Sequence, residues 1–176
     1  MIVILYDSDY NLTHILAQKI RTGIEQCGQV CQLMEINNIN EQNLDSSECI
    51  IFGCQSEFLP GVSYKMAKYM NKTRGIFENQ IWKNKLAAGF TPDAGTNSLN
   101  IIQEFCNFAA KHSMIWISQG HLTENEAHTV PQNRRVNSNN SFLGCIASGE
   151  HSDFTAEYFG RRIAQQTRRL LNPRQS

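Results

Sequence analysis

Residues 1–28, MIVILYDSDYNLTHILAQKIRTGIEQCG, decide how the rest of the chain is read. Ile2-Val3-Ile4-Leu5-Tyr6 is an unbroken apolar run, too short for a helix and rich in β-branched side chains. That is the pattern of a strand buried on both faces. A polar stretch, Asp7 to Asn11, follows. Leu12, Ile15, Leu16, Ile20, Ile24 and Cys27 then recur at helical spacing. They predict an amphipathic helix of about four turns, with Gly28 suited to its C-terminal end.

The same alternation continues downstream. Val30 to Ile36 alternates and predicts a second strand, and Cys49 to Gly53 a third. The polar stretch between them, Asn37 to Ser47, is expected to be irregular. After Pro60 and Gly61, the residues Val62, Met66, Tyr69, Met70 and Thr73 mark a helix. Leu86 to Phe90 predicts a fourth strand. Ile102, Phe105, Cys106 and Ala109 mark another helix, and Met114 to Ile117 a fifth strand. Gly120 to Asn140 is long and polar and gives no assignment. Phe142 to Ala147 reads as a short extension or a loop end. Phe154, Tyr158, Phe159, Ile163, Leu170 and Leu171 mark a final helix, after which Asn172 to Ser176 is expected to fray. Strands with helices between most of them predict an α/β fold. The expected form is a three-layer, doubly wound sheet of five parallel strands in one domain over residues 1–176.

Composition narrows the function classes. Lys plus Arg and Asp plus Glu each count 16, a formal net charge of +0. Proteins that work by broad attraction to nucleic acid or to an anionic bilayer are more lopsided, so neither partner is expected. No run of about 18 apolar residues occurs, so no membrane span is expected. The start MIVILYDSDY lacks the basic opening and longer apolar stretch of a secretory leader, and the expected location is the cytoplasm. The six cysteines contain no C-x-x-C and have no histidine cluster beside them. They are expected to be reduced, mostly buried thiols, with no metal site.

In a doubly wound sheet, ligands sit beyond the carboxyl ends of the strands, where the strand order reverses. Three loops leave such ends: Asp7 to Thr13, Cys54 to Gly61, and Thr91 to Ser98. In the first, Ser8, Tyr10, Asn11 and Thr13 lie between a strand and a helix start, where hydroxyls and free N–H groups suit an anion. Ordinary capping by Asn11 or Thr13 is the other reading. Neither G-x-x-x-x-G-K nor G-x-G-x-x-G is present.

Several stretches carry a family resemblance. They are IFGCQSEF (51–58), TRGIFENQIWKNKLAAGFTPDAGT (73–96), FAAKHSMIWISQGH (108–121) and NSFLGCIASGE (140–150). With the final amphipathic helix, they give a chain that resembles flavodoxin-like proteins. Within that class it looks like the tryptophan-repressor-binding-protein type of NAD(P)H:quinone oxidoreductase. The resemblance spans essentially the whole chain, with shortening between the second and third strands. It implies an FMN cofactor, a hydride taken from NADH or NADPH, and a quinone-like small molecule as electron acceptor. By position, Ser8, Tyr10, Asn11, Leu12 and Thr13 would surround the FMN phosphate. Cys54, Gln55, Ser56, Glu57 and Phe58 would run along the ribityl chain and flavin edge. Thr91, Pro92, Asp93, Ala94, Gly95 and Thr96 would contact the isoalloxazine. His112 matches a histidine near the flavin face and would be the catalytic residue. A homodimer or homotetramer is also implied.

The cofactor loops depart from that family. Asn11 stands where it has glycine, Gln55 for a proline, Glu57 for an arginine, and Pro92-Asp93-Ala94 for a Ser/Thr/Gly run. Asp7, Asp9, Glu57 and Asp93 put four acids on the three loops, which hold no Lys or Arg. A second reading follows: a binding or regulatory protein that keeps the fold, has lost or altered FMN binding, and is not an enzyme. An electron-transfer flavodoxin is a third, but those proteins are strongly acidic.

Other residues divide between function and architecture. His112 serves either as a proton donor at the flavin or as a helix C-terminal partner of the dipole. A nucleophilic Cys54 would need a cation beside it, and Glu57 works against this. Trp116 inside a strand reads as core, and Trp82, ahead of the fourth strand, as an interface residue. Arg161, Arg162, Arg168, Arg169 and Arg174 read as a solvated helix face.

Overall fold

The protein is described from a computed structural model over residues 1–55, 61–92, 97–120, 137, 141–147 and 152–171. Strand β1 is Ile2–Tyr6, β2 Cys31–Glu35, β3 Cys49–Gly53, β4 Leu86–Pro92, β5 Ile115–Trp116 and β6 Cys145–Ala147. The helices are α1 Asn11–Glu25, α2 Glu41–Ser46, α3 Tyr64–Lys72, α4 Arg74–Glu78, α5 Ser98–Lys111 and α6 Ser152–Leu171.

All pairings are parallel, in the order β2-β1-β3-β4-β5, with β6 also on β4. Ile2 stands level with Cys31 and Cys49, and Cys49 with Leu86, which pairs Ile115. That row is the amino edge of the sheet. Tyr6, Glu35, Gly53 and Phe90 form the opposite row, the carboxyl edge, where Phe90 also pairs Cys145. β5 covers the amino half of β4 and β6 its carboxyl half, so the fifth strand position is filled by two separate pieces. The indole of Trp116 spans the break: its ring lies against Gly89, and its Nε1 donates to the Leu143 carbonyl at 2.8 Å.

Two cores lie on the two faces of the sheet, as alternating side chains require. On one, Ile2, Ile4, Tyr6, Ile51, Ala88 and Phe90 meet α1 and α6 through Leu16, Ile20, Ile24, Phe159 and Ile163. On the other, Val3, Leu5, Ile50, Phe52 and Ala87 meet α2, α3 and α5 through Leu44, Met66, Ile101 and Phe105. α1 and α6 run almost in backbone contact. A Cβ at Gly23 would lie 2.0 Å from the Glu157 carbonyl oxygen, and one at Gly160 would lie 2.1 Å from that of Ile20. Both positions therefore require glycine.

Three expectations need correction. Asn37 to Ser47 is not irregular throughout. It holds α2, capped by the Asn40 side chain accepting from the Asn43 N–H at 3.1 Å, with Leu44 as the one buried anchor. The fifth strand is shorter than Met114–Ile117. Trp82 is not an interface residue: it is fully buried, and its Nε1 donates to Asp45 Oδ1 at 2.8 Å.

Candidate functional site

The strand order reverses between β1 and β3, and in open α/β sheets ligands sit beyond the carboxyl ends of the strands at such a point. Tyr10 precedes α1 with extended backbone and supplies no side-chain cap. The first amides of a helix lack intrahelical acceptors, so those of Asn11 and Leu12 begin α1 in search of an anion or water. Beside them Thr13 is fully buried, and its Oγ1 has no hydrogen-bond partner among the described residues. A buried hydroxyl without a partner costs on the order of 1–3 kcal/mol. Nothing in the packing of α1 explains why threonine rather than valine stands there.

The acids of the first loop are not free to oppose an anion. Asp7 is buried, and its carboxylate accepts from the Ser63 hydroxyl at 2.7 Å and the Asp9 amide at 3.2 Å. Ser63 is also the cap of α3, accepting from the Met66 amide at 3.3 Å, so Asp7 locks the β1 loop to that helix. Asp9 is ion-paired with Lys65 of α3. The loops carry no cation of their own, but the fold brings one to them from α3.

Sequence reasoning missed a polar network on the same edge. Ser8 Oγ donates to Glu35 Oε2 at 3.0 Å, so the Ser8 hydroxyl is engaged with β2. The Tyr6 hydroxyl lies 2.8 Å from His14 Nδ1 and 3.4 Å from Glu35 Oε1, and Gln18 Nε2 lies 2.9 Å from His14 Nε2. Burial, with Glu35 beside it, pushes the Tyr6 phenol up to about 12. The signal was present in the i, i+4 spacing of His14 and Gln18, with Tyr6 ending the first strand.

Beyond β3, Gln55 is nearly buried and its Oε1 has no partner among the described residues, a second unsatisfied polar atom on this edge. Cys54 is fully buried, takes the Ser63 amide at 3.4 Å, and is pushed by burial up to about 12. It is a packing thiol and not a nucleophile. Asn97 Oδ1 accepts from the Gly61 amide at 2.8 Å, and Glu104 Oε2 from the Val62 amide at 3.0 Å. These contacts fasten the loop beyond β3 to α5. Thr91 and Pro92 are the last residues of β4, Pro92 paired with Ala147, and the Pro92 carbonyl accepts from Thr91 Oγ1 at 3.1 Å. Ser56, Glu57, Phe58, Asp93, Ala94, Gly95 and Thr96 lie outside the described residues.

His112 is corrected. It ends α5, three residues ahead of Ile115, whose partner Leu86 belongs to the amino edge. Four residue steps along β4, about 13 Å, separate that row from Phe90. Its ring packs against Phe108, Trp82 and Phe77, with Nε2 3.0 Å from Thr73 Oγ1. Thr73 spends its own proton on the Met70 carbonyl, so His112 Nε2 carries the hydrogen and Nδ1 is left bare. Burial, with Lys111 beside it, lowers the His112 pKa. This is a neutral, architectural histidine.

Among the described residues, no group of three or more His, Cys, Asp or Glu could hold a metal ion. Also among them, no helix is long and apolar enough to cross a membrane.

The strand order and the three layers define the flavodoxin-like fold. No family profile matches the sequence, and no curated protein matches it. Solved structures do. A WrbA-like flavodoxin from Agrobacterium tumefaciens is 24% identical at a TM-score of 0.73, covering 96% of this chain and 97% of that one. A flavodoxin from the domain Archaea is 17% identical at 0.65, covering 95% and 98%. A Fusobacterium nucleatum flavodoxin bound to flavin mononucleotide is 13% identical at 0.65, covering 95% and 96%.

Proposed function

We propose that the chain is an FMN-dependent oxidoreductase that passes a hydride from NAD(P)H to a quinone-like acceptor at the carboxyl edge of its sheet. The observation that carries this reading is the start of α1. An uncapped helix N-terminus lies beside a buried Thr13 hydroxyl without a partner, at the point where strand order reverses. A phosphate satisfies both. The Fusobacterium nucleatum flavodoxin, bound to flavin mononucleotide, supports the FMN part of this reading.

The residues present fit the cofactor. The amides of Asn11 and Leu12 and the hydroxyl of Thr13 would hold its phosphate. Gln55 would offer its carboxamide to the flavin edge. Thr91 and Pro92, the last residues of β4, would face the flavin from this edge. Asp7 and Asp9, engaged by Ser63 and Lys65, hold the first loop in place without facing the phosphate as free charges. Bound FMN supplies the hydride-carrying chemistry, and the protein binds and orients it. Leu12, Tyr64 and Leu99, all exposed, sit in the first turns of α1, α3 and α5 around this edge. They suit a flat apolar acceptor. Assembly into a homodimer or homotetramer belongs to the same proposal.

The rival reading, a flavodoxin-fold regulatory protein without FMN, rests on Glu57, Pro92 and Asp93. The two are separated by reconstituting the chain with FMN and following NADH and NADPH oxidation with and without 1,4-benzoquinone. Quinone-dependent turnover is the expected result. A flavin-loaded chain that oxidises neither nucleotide would leave electron transfer without an enzymatic role. Failure to load would favour the regulatory reading.

A further inference from the structure

A second site lies away from this edge, between β5 and α6. The arginines of α6 divide between two faces. Arg161 donates to Gln26 Oε1 at 2.8 Å and lies near Glu157, and Arg168 donates to the Cys27 carbonyl. Both are spent on packing against α1. Arg162 and Arg169 face the other way, with Gln166 and Leu170 on the same stripe at i, i+4, i+7 and i+8. Together with Leu86, Ile115, Ile117 and Ser118 they line a groove of about 360 Å³, within the usual range for small-molecule sites. Among the described residues, no carboxylate pairs with either arginine.

The groove is built. Arg162 Nε donates to the Ser118 carbonyl at 2.8 Å, which fixes the guanidinium. Gly120 makes room for it. Its φ is +63°, and a Cβ there would lie 2.2 Å from Arg162 Cζ. Ile115 donates its amide to the Lys85 carbonyl, just ahead of β4, and Ile117 to the Ala87 carbonyl within it. Alternation therefore turns the main chain of Trp116 outward into the groove. An apolar floor with two guanidiniums and a main-chain edge that no described carboxylate or strand engages, beside an amide, fits an anion with an apolar body. A peptide strand adding to β5 fits less well, because the outward Ser118 carbonyl that it would need is already taken by Arg162.

We propose that this groove binds a small amphiphilic carboxylate, paired with Arg162 and Arg169 and seated on Ile115, Ile117 and Leu170. The site is independent of FMN. It lies level with Leu86 at the amino edge, about 13 Å of strand from Phe90.

The test is titration of the full chain, with and without FMN, using 1-naphthoate and the neutral 1-naphthylmethanol as probes. A charged hydrogen bond is worth more than about tenfold in affinity. Naphthoate should bind at least about tenfold tighter than the alcohol. Arg169→Gln should remove about that factor, and Arg161→Gln, on the opposite face, should remove none. Arg169 is exposed, so its variant keeps the fold, which its melting curve verifies. Equal affinity for acid and alcohol, indifference to Arg169→Gln, competition with FMN, or response only to acidic peptides would each overturn the proposal.

Discussion

Thr13→Val separates a hydroxyl that serves a ligand from one that serves the fold. The two side chains have nearly the same shape, and both are β-branched, so helix propensity and packing change little. What changes is a buried Oγ1 that has no partner among the described residues. Its desolvation costs on the order of 1–3 kcal/mol. The valine chain without cofactor should therefore be more stable by about 1–2 kcal/mol. For a chain of this length, each kcal/mol raises Tm by roughly 2–4 °C. The same change removes a hydrogen bond to a charged phosphate, worth about 1.5–3 kcal/mol, so FMN should bind roughly tenfold to a hundredfold more weakly. Thermal melts of the cofactor-free protein and flavin-fluorescence titrations read the two effects, which carry opposite signs. If valine destabilises the cofactor-free chain, or leaves FMN affinity unchanged, Thr13 is bonded within the fold and does not face a ligand.

Other perturbations test the architecture. Gly160→Ala drives a Cβ into the Ile20 carbonyl, and overpacking of this kind costs about 1–3 kcal/mol, so Tm should fall by roughly 2–12 °C. Asp45→Ala strands the buried indole N–H of Trp82 and should cost about 1–3 kcal/mol in urea unfolding, whereas an interfacial Trp82 would show no such cost. His112 is held below its ordinary pKa of 6.5 in the folded state. The unfolded chain therefore binds the proton first, and the stability His112 contributes, full above 6.5, is lost as pH falls through the folded value. His112→Gln should flatten the unfolding free energy against pH in that window and leave FMN affinity unchanged. A loss of FMN binding would return His112 to the site. In the folded chain a thiol reagent should modify Cys27 and Cys106 ahead of the buried Cys31, Cys49, Cys54 and Cys145, and early loss of the Cys54 thiol would contradict its burial.

The strands were legible because each is an apolar run closed by polar or glycine punctuation. β1, β3 and the start of β4 follow the pattern to the residue. α2 was hidden because one leucine, Leu44, carries its whole buried face, too little for a periodic signal, although Asn40 and Asn43 had the spacing of a cap. Trp82 was misread because a tryptophan outside a regular element gives no hint of Asp45, 37 positions earlier, as its partner. The split fifth position was half visible: Phe142 to Ala147 read as an extension, but only the register on β4 shows that β6 completes what β5 begins. His112 was placed by resemblance against the topology. A residue just ahead of a parallel strand belongs to the amino edge, and that rule would have kept it from the cofactor. The Asp9–Lys65 pair joins residues from two elements, and no local reading finds it.

The central claim is that the carboxyl edge holds FMN, with its phosphate on the start of α1. Equilibrium titration of the cofactor-free chain with FMN, read by quenching of flavin fluorescence, tests it most directly. Saturable quenching with a dissociation constant at or below micromolar, abolished by riboflavin in place of FMN only to the extent that the phosphate contributes, is the predicted result. Absence of quenching at micromolar protein, or equal affinity for riboflavin and FMN, would contradict it.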